Sequence, residues 1–167
     1  MIRLFDEHIK REVTVLDGAW MMEADPKGDG EARGFATGLP SPHRTSVPSV
    51  WNTELGMLEY EGKVWYEKSF YTAGGTLRIR FGAVMTSAKV YFDGELLGGH
   101  YGGFSEFSFI VREVKEGAHT LTVMADNSFD EASIPMPTVD WYHYGGITRS
   151  VSVERLSGLC VLSSRLD

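Results

Sequence analysis

Cysteine is nearly absent from this chain, since Cys160 is the only one among its 167 residues. A single thiol cannot form a disulfide within the chain, so we expect folding without covalent cross-links. A chain of this length buries roughly 70% of the surface that its unfolded form exposes, which is enough for one stable core. A lone thiol also fits a reducing compartment. We therefore expect one domain in a cytoplasmic protein, or in a secreted one whose leader has been removed.

Positive charge and long apolar runs are also scarce. There are 16 Lys and Arg residues against 23 Asp and Glu residues, which gives a net charge of −7. Nucleic-acid binding depends on clustered cations that neutralise phosphates, so this class of partner is excluded. No run approaches the roughly 18 apolar residues of a membrane helix, and charged residues interrupt the first ten positions. We expect neither nucleic acid nor membrane as a partner.

The sequence also lacks the residue patterns of metal and nucleotide sites. Its five histidines have no close ligand spacing and no cysteine pair beside them. Gly28-Asp29-Gly30, followed by Gly34, lacks the third glycine of a dinucleotide loop and is better explained as a surface turn. No Gly-x-Ser-x-Gly elbow of a serine hydrolase occurs. We expect no metal and no cofactor.

The dominant pattern is an alternation of apolar and polar residues. In Thr76 to Phe81, the apolar Leu77, Ile79 and Phe81 alternate with polar neighbours, which predicts a strand with one face in a core. The same period predicts five further strands, although the first of them carries aromatic residues on both faces. They are Val64 to Phe70, Lys89 to Asp93, Phe104 to Val111, His119 to Ala125 and Ile147 to Val153.

Turn residues separate these strands at short intervals. Asp93-Gly94 predicts a two-residue hairpin, because a type I′ turn needs positive φ at both central positions. Ala73-Gly74-Gly75 and Glu116-Gly117 predict further turns. Asp25 to Pro48 is rich in glycine and proline and predicts a long surface excursion with one short helical turn near Glu31 to Phe35. Because no longer helical pattern occurs, the fold class is all-β, a sandwich or a barrel.

Two stretches are near copies of each other, His100 to Phe104 and His143 to Ile147. Their paired glycines predict corners of a sandwich. Asp140-Trp141-Tyr142 precedes the second copy. A carboxylate beside exposed aromatic rings is typical of a sugar site, because carboxylate oxygens accept hydrogen bonds from hydroxyls and rings cover C–H surface. Plain packing explains the same motif equally well.

Five segments in order resemble the N-terminal sugar-binding domain of glycoside hydrolase family 2, the family of β-glucuronidases and β-galactosidases. Together they span residues 13 to about 155, and their ordered combination is more specific than any one of them. The segments are Leu16 to Trp20, Val47 to Asn52, Gly62 to Lys68, Gly102 to Phe107 and Asp140 to Val151.

The resemblance implies a jelly-roll β-sandwich of the galactose-binding-domain type over residues 1–156. Residues 157–167 would begin a linker to an immunoglobulin-like domain and a (β/α)8 barrel. In such relatives, the residue matching Asp140 reaches over the barrel mouth and contacts sugar hydroxyls, with His143 and Tyr144 as neighbours. The implied partners are a β-glycoside and the chain's own downstream barrel. The resemblance also assigns three aromatic residues to the core, namely Trp65, Tyr66 and Phe107.

The resemblance implies no catalytic residue within this chain. Retaining hydrolysis needs two carboxyl groups about 5 Å apart at the C-terminal face of a barrel of about 250 residues. The resemblance leans toward β-glucuronidases through Val47-Pro48, Val64-Trp65-Tyr66 and Arg149-Ser150-Val151, with β-galactosidase and β-mannosidase left open. Two other readings are a free-standing carbohydrate-binding module and a domain that helps a homo-oligomer assemble.

Overall fold

Antiparallel strands dominate the fold. The structure is a computed structural model that describes residues 12–129, 140 and 142–157. Within these residues, the only helices are two 3-10 turns, Phe35–Thr37 and Trp51–Thr53, and no helix is long and apolar enough to span a membrane. The strands are β1 (Glu12–Val15), β2 (Gly18–Asp25), β3 (His43–Val47), β4 (Lys63–Thr72), β5 (Gly75–Phe81), β6 (Val84–Met85), β7 (Ser87–Phe92), β8 (Glu95–Tyr101), β9 (Phe107–Val114), β10 (Gly117–Asp126), β11 (Gly146–Ile147) and β12 (Val151–Leu156).

Two sheets face each other across one main core. The larger has the strand order β3-β2-β4-β10-β7-β8, and the smaller has the order β1-β12-β5-β9. A two-stranded sheet of β11 and β6 lies beside them. The chain changes sheet between β4 and β5 and again between β9 and β10. The predicted jelly-roll sandwich is confirmed. The predicted linker lies almost entirely outside the described residues.

The main core forms where the inward faces of the two sheets meet. Leu77, Ile79 and Phe81 of β5 have no exposed surface, so the alternation read from the sequence is confirmed. Tyr66 is buried in the same core, and Phe107 packs against it. Each large apolar side chain that is fully buried stabilises the fold by about 1.5–3 kcal/mol.

A second apolar cluster covers the outer face of the larger sheet. It joins Trp65, Tyr91 and Met124 on three adjacent strands to Phe35 from the excursion. This cluster explains why β4 carries aromatic residues on both faces. The buried Asp25 carboxylate fixes the excursion, because it accepts hydrogen bonds from Asp29 N, Gly30 N and Trp65 Nε1. The predicted surface excursion is therefore partly wrong, since it covers this cluster and also contains the strand β3.

The glycine turns have two different uses. Asp93 and Gly94 have φ values of 49° and 86°, which confirms the predicted hairpin between β7 and β8. Gly74 and Gly117 instead lie at two of the places where the chain changes sheet, between β4 and β5 and between β9 and β10. An added Cβ at Gly74 would lie 2.6 Å from the carbonyl oxygen of Val114, so the two corners pack together and only glycine fits there.

The predicted strand Ile147 to Val153 is in fact two strands. β11 pairs with β6 and β12 pairs with β5, and the chain passes between these sheets at Thr148 to Ser150. Hydrogen bonds to the neighbouring bend hold this passage, from Thr148 N to Ala83 O at 3.1 Å and from Gly82 N to Ser150 O at 2.9 Å. The sequence did not show the break between the two strands, because β11 and β12 both point apolar residues inward and the alternation of apolar and polar residues continues through them.

His119 stabilises the β7–β8 hairpin in a way that depends on pH. Its Nδ1 lies 2.6 Å from Asp93 Oδ2, and its Nε2 lies 2.9 Å from the Lys115 carbonyl oxygen. Burial of the ring lowers the pKa of His119, but the bonds to Asp93 and Lys115 raise it by more, so the net pKa lies above its usual value. The protonated ring therefore stabilises the folded state.

We expect His119→Gln to destabilise the domain at low pH only. A raised folded pKa gives stability that is fully present below the unfolded value of about 6.5 and is lost as the pH rises through the folded pKa. The difference in unfolding free energy should be at most about 1 kcal/mol, because the pair is partly exposed. Urea denaturation between pH 5.5 and 8.5 measures it. In an Asp93→Asn background, which keeps the turn, the dependence on pH should shrink; a difference that is constant with pH would contradict the assignment.

Candidate functional site

The candidate site lies directly before β11, on residues 140 and 142–145, which we call the site segment. Asp140 is exposed there, while Trp141 lies outside the described residues. Tyr142 and Tyr144 are also exposed, and their ring centroids lie 4.9 Å apart with an interplanar angle of 37°. A carboxylate and a pair of accessible aromatic rings therefore lie on the same short segment.

His143 is oriented the opposite way and is only 8% exposed. Its Nε2 lies 3.3 Å from Thr86 Oγ1, and its ring centroid lies 3.9 Å from that of Phe129. Tyr142 and Tyr144 therefore face outward while His143, between them, packs inward. The structure does not place His143 on the surface with Asp140 and Tyr144. A role for these residues in sugar binding stays a prediction.

Two buried asparagines, which the sequence analysis missed, hold the backbone of this segment. Asn52 Oδ1 accepts a hydrogen bond from Gly145 N at 2.9 Å, and its Nδ2 donates to the carbonyls of Leu58 and Met57 at 3.0 and 3.3 Å. Asn127 Nδ2 donates to the His143 carbonyl at 3.1 Å. The available signals were the position of Asn52 at the end of the Val47 to Asn52 motif and the place of Asn127 directly after an apolar strand.

The paired glycines of the segment are required by close packing, which confirms the predicted corner. A Cβ at Gly145 would lie 1.9 Å from the Trp51 ring, and one at Gly146 would lie 2.6 Å from the Ser49 carbonyl oxygen. Backbone hydrogen bonds at 2.9 Å join Trp51 N to Gly145 O and Ser49 N to Ile147 O. The segment therefore lies directly against the chain at residues 49–51, with no space between them.

Two carboxylates, Glu59 and Glu61, lie near Tyr142 on the outward side of the segment. The Tyr142 hydroxyl donates to the Leu58 carbonyl. Desolvation raises the pKa of Tyr142 above its usual value, and the nearby Glu59, Tyr144 and Glu61 raise it further. Such a surface accepts hydrogen bonds from neutral hydroxyl groups and disfavours anions. Its chemistry fits recognition of sugar hydroxyls and the C–H face of a sugar ring.

Comparison with known proteins places this fold among glycosidases. No family model matches the chain. A β-galactosidase of Thermoanaerobacter pseudethanolicus is 35% identical over 127 residues, which cover 71% of this chain and 17% of that protein. A β-glucuronidase of Bacteroides fragilis is 27% identical over 164 residues, which cover 92% of this chain and 22% of that protein. The crystal structure of Ruminococcus gnavus β-glucuronidase matches 91% of this chain and 30% of that chain, with a TM-score of 0.85 and 28% identity.

The chain belongs with the N-terminal sandwich domains of family 2 glycoside hydrolases. It spans about 15% to 30% of the length of the curated relatives that it matches. Two of the motifs that this chain shares with the family have clear structural roles in the fold. The motif ending at Asn52 supplies Trp51 and Asn52, which support the site segment, and the motif ending at Lys68 begins β4.

Proposed function

We propose that the chain is the N-terminal domain of a longer cytoplasmic β-glycosidase, with β-glucuronides as the favoured substrates. In this proposal, Asp140 extends from the sandwich and accepts hydrogen bonds from hydroxyls of a sugar that is bound mainly by a downstream barrel. The observation that carries the proposal is an exposed carboxylate on a segment whose backbone is held by buried side chains. The similarity to named β-glucuronidases over 92% of the chain supports the substrate class.

Asp140 would act by positioning the substrate, without transferring a proton. A hydrogen bond to a charged group contributes about 1.5–3 kcal/mol. If such bonds strengthen as the sugar ring distorts toward the transition state, they raise the rate of the chemical step as well as the affinity. The two catalytic carboxyl groups would belong to the barrel, where retaining glycosidases hold them about 5 Å apart.

We expect different domains to bind the carboxylate and the hydroxyls of a glucuronide. Glu59 and Glu61 disfavour an anion at this surface. The carboxylate of a glucuronate would therefore be bound by groups outside this chain, and Asp140 would recognise neutral hydroxyls. Because β-galactosides and β-mannosides carry similar hydroxyls, Asp140 alone does not select among these substrates.

We expect the 167-residue chain to be inactive by itself and the longer enzyme to cleave aryl β-glucuronides. Release of the aryl group from a panel of β-glucuronides, β-galactosides and β-mannosides measures both activities. Turnover by the isolated chain that survives repeated purification would contradict the proposed role. A longer enzyme that prefers galactosides would change the substrate assignment and leave the role of the domain intact.

The exposed tyrosine pair favours a second candidate, a free-standing carbohydrate-binding module. Tyr142 and Tyr144 could cover one sugar ring without help from another domain. Titration of the isolated chain with monosaccharides, followed by calorimetry, separates the two candidates. Saturable binding favours the module, whereas no binding fits a half-site that needs the barrel. Sedimentation of the same sample tests the third reading, since dimers would favour an assembly domain.

A further inference from the structure

We propose that Asn127 and Asn52 are positioning residues for Asp140. The proposal rests on the proposed function of Asp140 and adds what fixes its place. The two asparagines bind consecutive peptide groups of the site segment, through the His143 carbonyl and the Gly145 N–H, and both hydrogen bonds are buried. Asp140 lies three residues before the first of these contacts, so its carboxylate is carried by a backbone with two fixed points.

Asn127 transmits the rigidity of the central strand to the segment. It directly follows β10, which pairs with β4 on one side and β7 on the other. Its side chain is fully buried and connects two stretches of the chain. Its Oδ1 accepts from Gly62 N at 2.9 Å, and its Nδ2 donates to the His143 carbonyl at 3.1 Å. A backbone hydrogen bond from Asn127 N to Gly62 O, at 3.3 Å, fixes the residue itself.

Asn52 provides the second fixed point from a different part of the fold. It lies in the 3-10 turn Trp51–Thr53 and is 4% exposed. While its Oδ1 holds Gly145, its Nδ2 holds the loop at Leu58, whose carbonyl also accepts from the Tyr142 hydroxyl. The loop and the segment are therefore joined twice, through Asn52 inside and through Tyr142 at the surface.

A side-chain amide suits these contacts because it donates from its nitrogen and accepts at its oxygen at the same time, whereas a carboxylate of the same shape only accepts. An aspartate in place of Asn127 would keep the contact with Gly62 N but would turn an acceptor toward the His143 carbonyl. The His143 carbonyl would then be buried without a donor and would face a carboxylate, which destabilises the segment locally. Because a misplacement of about 1 Å at a reacting group can cost about a hundredfold in rate, a loosened segment should weaken the contribution of Asp140 strongly.

A double-mutant cycle in the longer enzyme tests the proposal. We expect Asn127→Asp to lower kcat/KM roughly tenfold or more in the wild-type background and less than about twofold in an Asp140→Ala background. Such non-additivity is the signature of residues that act through one another. Equal losses in both backgrounds would show a general structural role and would overturn the proposal. If Asp140→Ala alone has no effect, the proposed function fails instead, so the two failures are distinguishable.

A matched control and a second variant accompany the cycle. Thr122 is fully buried, lies on the central strand β10 and has a side-chain oxygen without a hydrogen-bond partner, so Thr122→Val changes a buried polar group away from the segment. We expect it to leave kcat/KM unchanged in both backgrounds.

Asn52→Asp keeps the contact with Gly145 N and removes both donors to the loop. It should show the same non-additivity with Asp140→Ala, and additive losses would count against the proposal.

Hydrogen exchange in the unmodified 167-residue chain provides a test that needs no variant. The Gly145 N–H follows an exposed tyrosine but is buried against Asn52 Oδ1. We expect it to exchange at least a hundredfold more slowly than an unprotected amide. Exchange at the rate of a solvent-exposed loop would mean that the Asn52 contact does not hold the segment, and the proposal would fall.

Discussion

Replacing Asp140 by alanine in the longer enzyme is expected to lower kcat/KM by about one to four decades. In the proposed role, the variant would lose one or two charge-assisted hydrogen bonds to the sugar, each contributing about 1.5–3 kcal/mol, and each 1.36 kcal/mol corresponds to a factor of ten. Since Asp140 is exposed, its loss should not disturb the core. Steady-state kinetics with the preferred aryl glycoside measures the effect.

Asp140→Asn separates charge from shape in the same experiment. The amide keeps one acceptor oxygen of similar position and loses the charge, so its kcat/KM should fall between those of the wild-type enzyme and Asp140→Ala. Thermal unfolding of all three proteins should give the same midpoint within about 1 °C, because surface substitutions usually change stability by less than 0.5 kcal/mol. Kinetics near the wild-type values for Asp140→Ala would rule out substrate contact by this carboxylate.

Gly145→Ala is expected to destabilise the isolated domain by about 3 kcal/mol or more. The added methyl group would lie 1.9 Å from the ring of Trp51, which is buried and whose Nε1 donates to the Tyr60 carbonyl at 3.1 Å. Overpacking in a well-packed core costs about 1–3 kcal/mol and occasionally more when neighbours cannot move. The thermal midpoint should fall by about 6–12 °C for a domain of this size.

Two controls test whether the clash with Trp51 is the cause. Gly99→Ala adds a methyl group with its nearest contact at 3.2 Å, to the Ala88 carbonyl oxygen, and should cost less than about 1 kcal/mol. In a Trp51→Ala background, Gly145→Ala should cost much less than it does alone, because the ring that it meets is gone. Equal costs of Gly145→Ala in both backgrounds would refute the explanation.

The fold was predictable where local chemistry and burial agree. The alternation in β5 and the Asp93-Gly94 turn are decided within a few residues, and both predictions are confirmed. The second apolar cluster was not predictable in this way, because alternation cannot show that the excursion returns over Trp65 and Tyr91. The break between β11 and β12 escaped for the same reason, since both strands point apolar residues to the core.

The candidate site was predicted as a segment but not as an arrangement. The motif from Asp140 to Tyr144 predicted a carboxylate beside exposed aromatic rings, and Asp140, Tyr142 and Tyr144 are exposed, but it did not distinguish the buried His143 from the exposed Tyr144. Asn52 and Asn127 were missed because the sequence does not distinguish a buried asparagine that binds backbone groups from an asparagine in a solvated turn. Only their partners, at long sequence separation, reveal their use.

The buried and the exposed residues of the site segment are under different evolutionary constraints. His143 and Gly145 are committed to the interior, so substitutions there endanger the whole sandwich. Asp140, Tyr142 and Tyr144 project into solvent, where new side chains meet little steric resistance. A lineage could therefore exchange these outward residues, and with them any contact that they make with a sugar, while the same scaffold continues to fold.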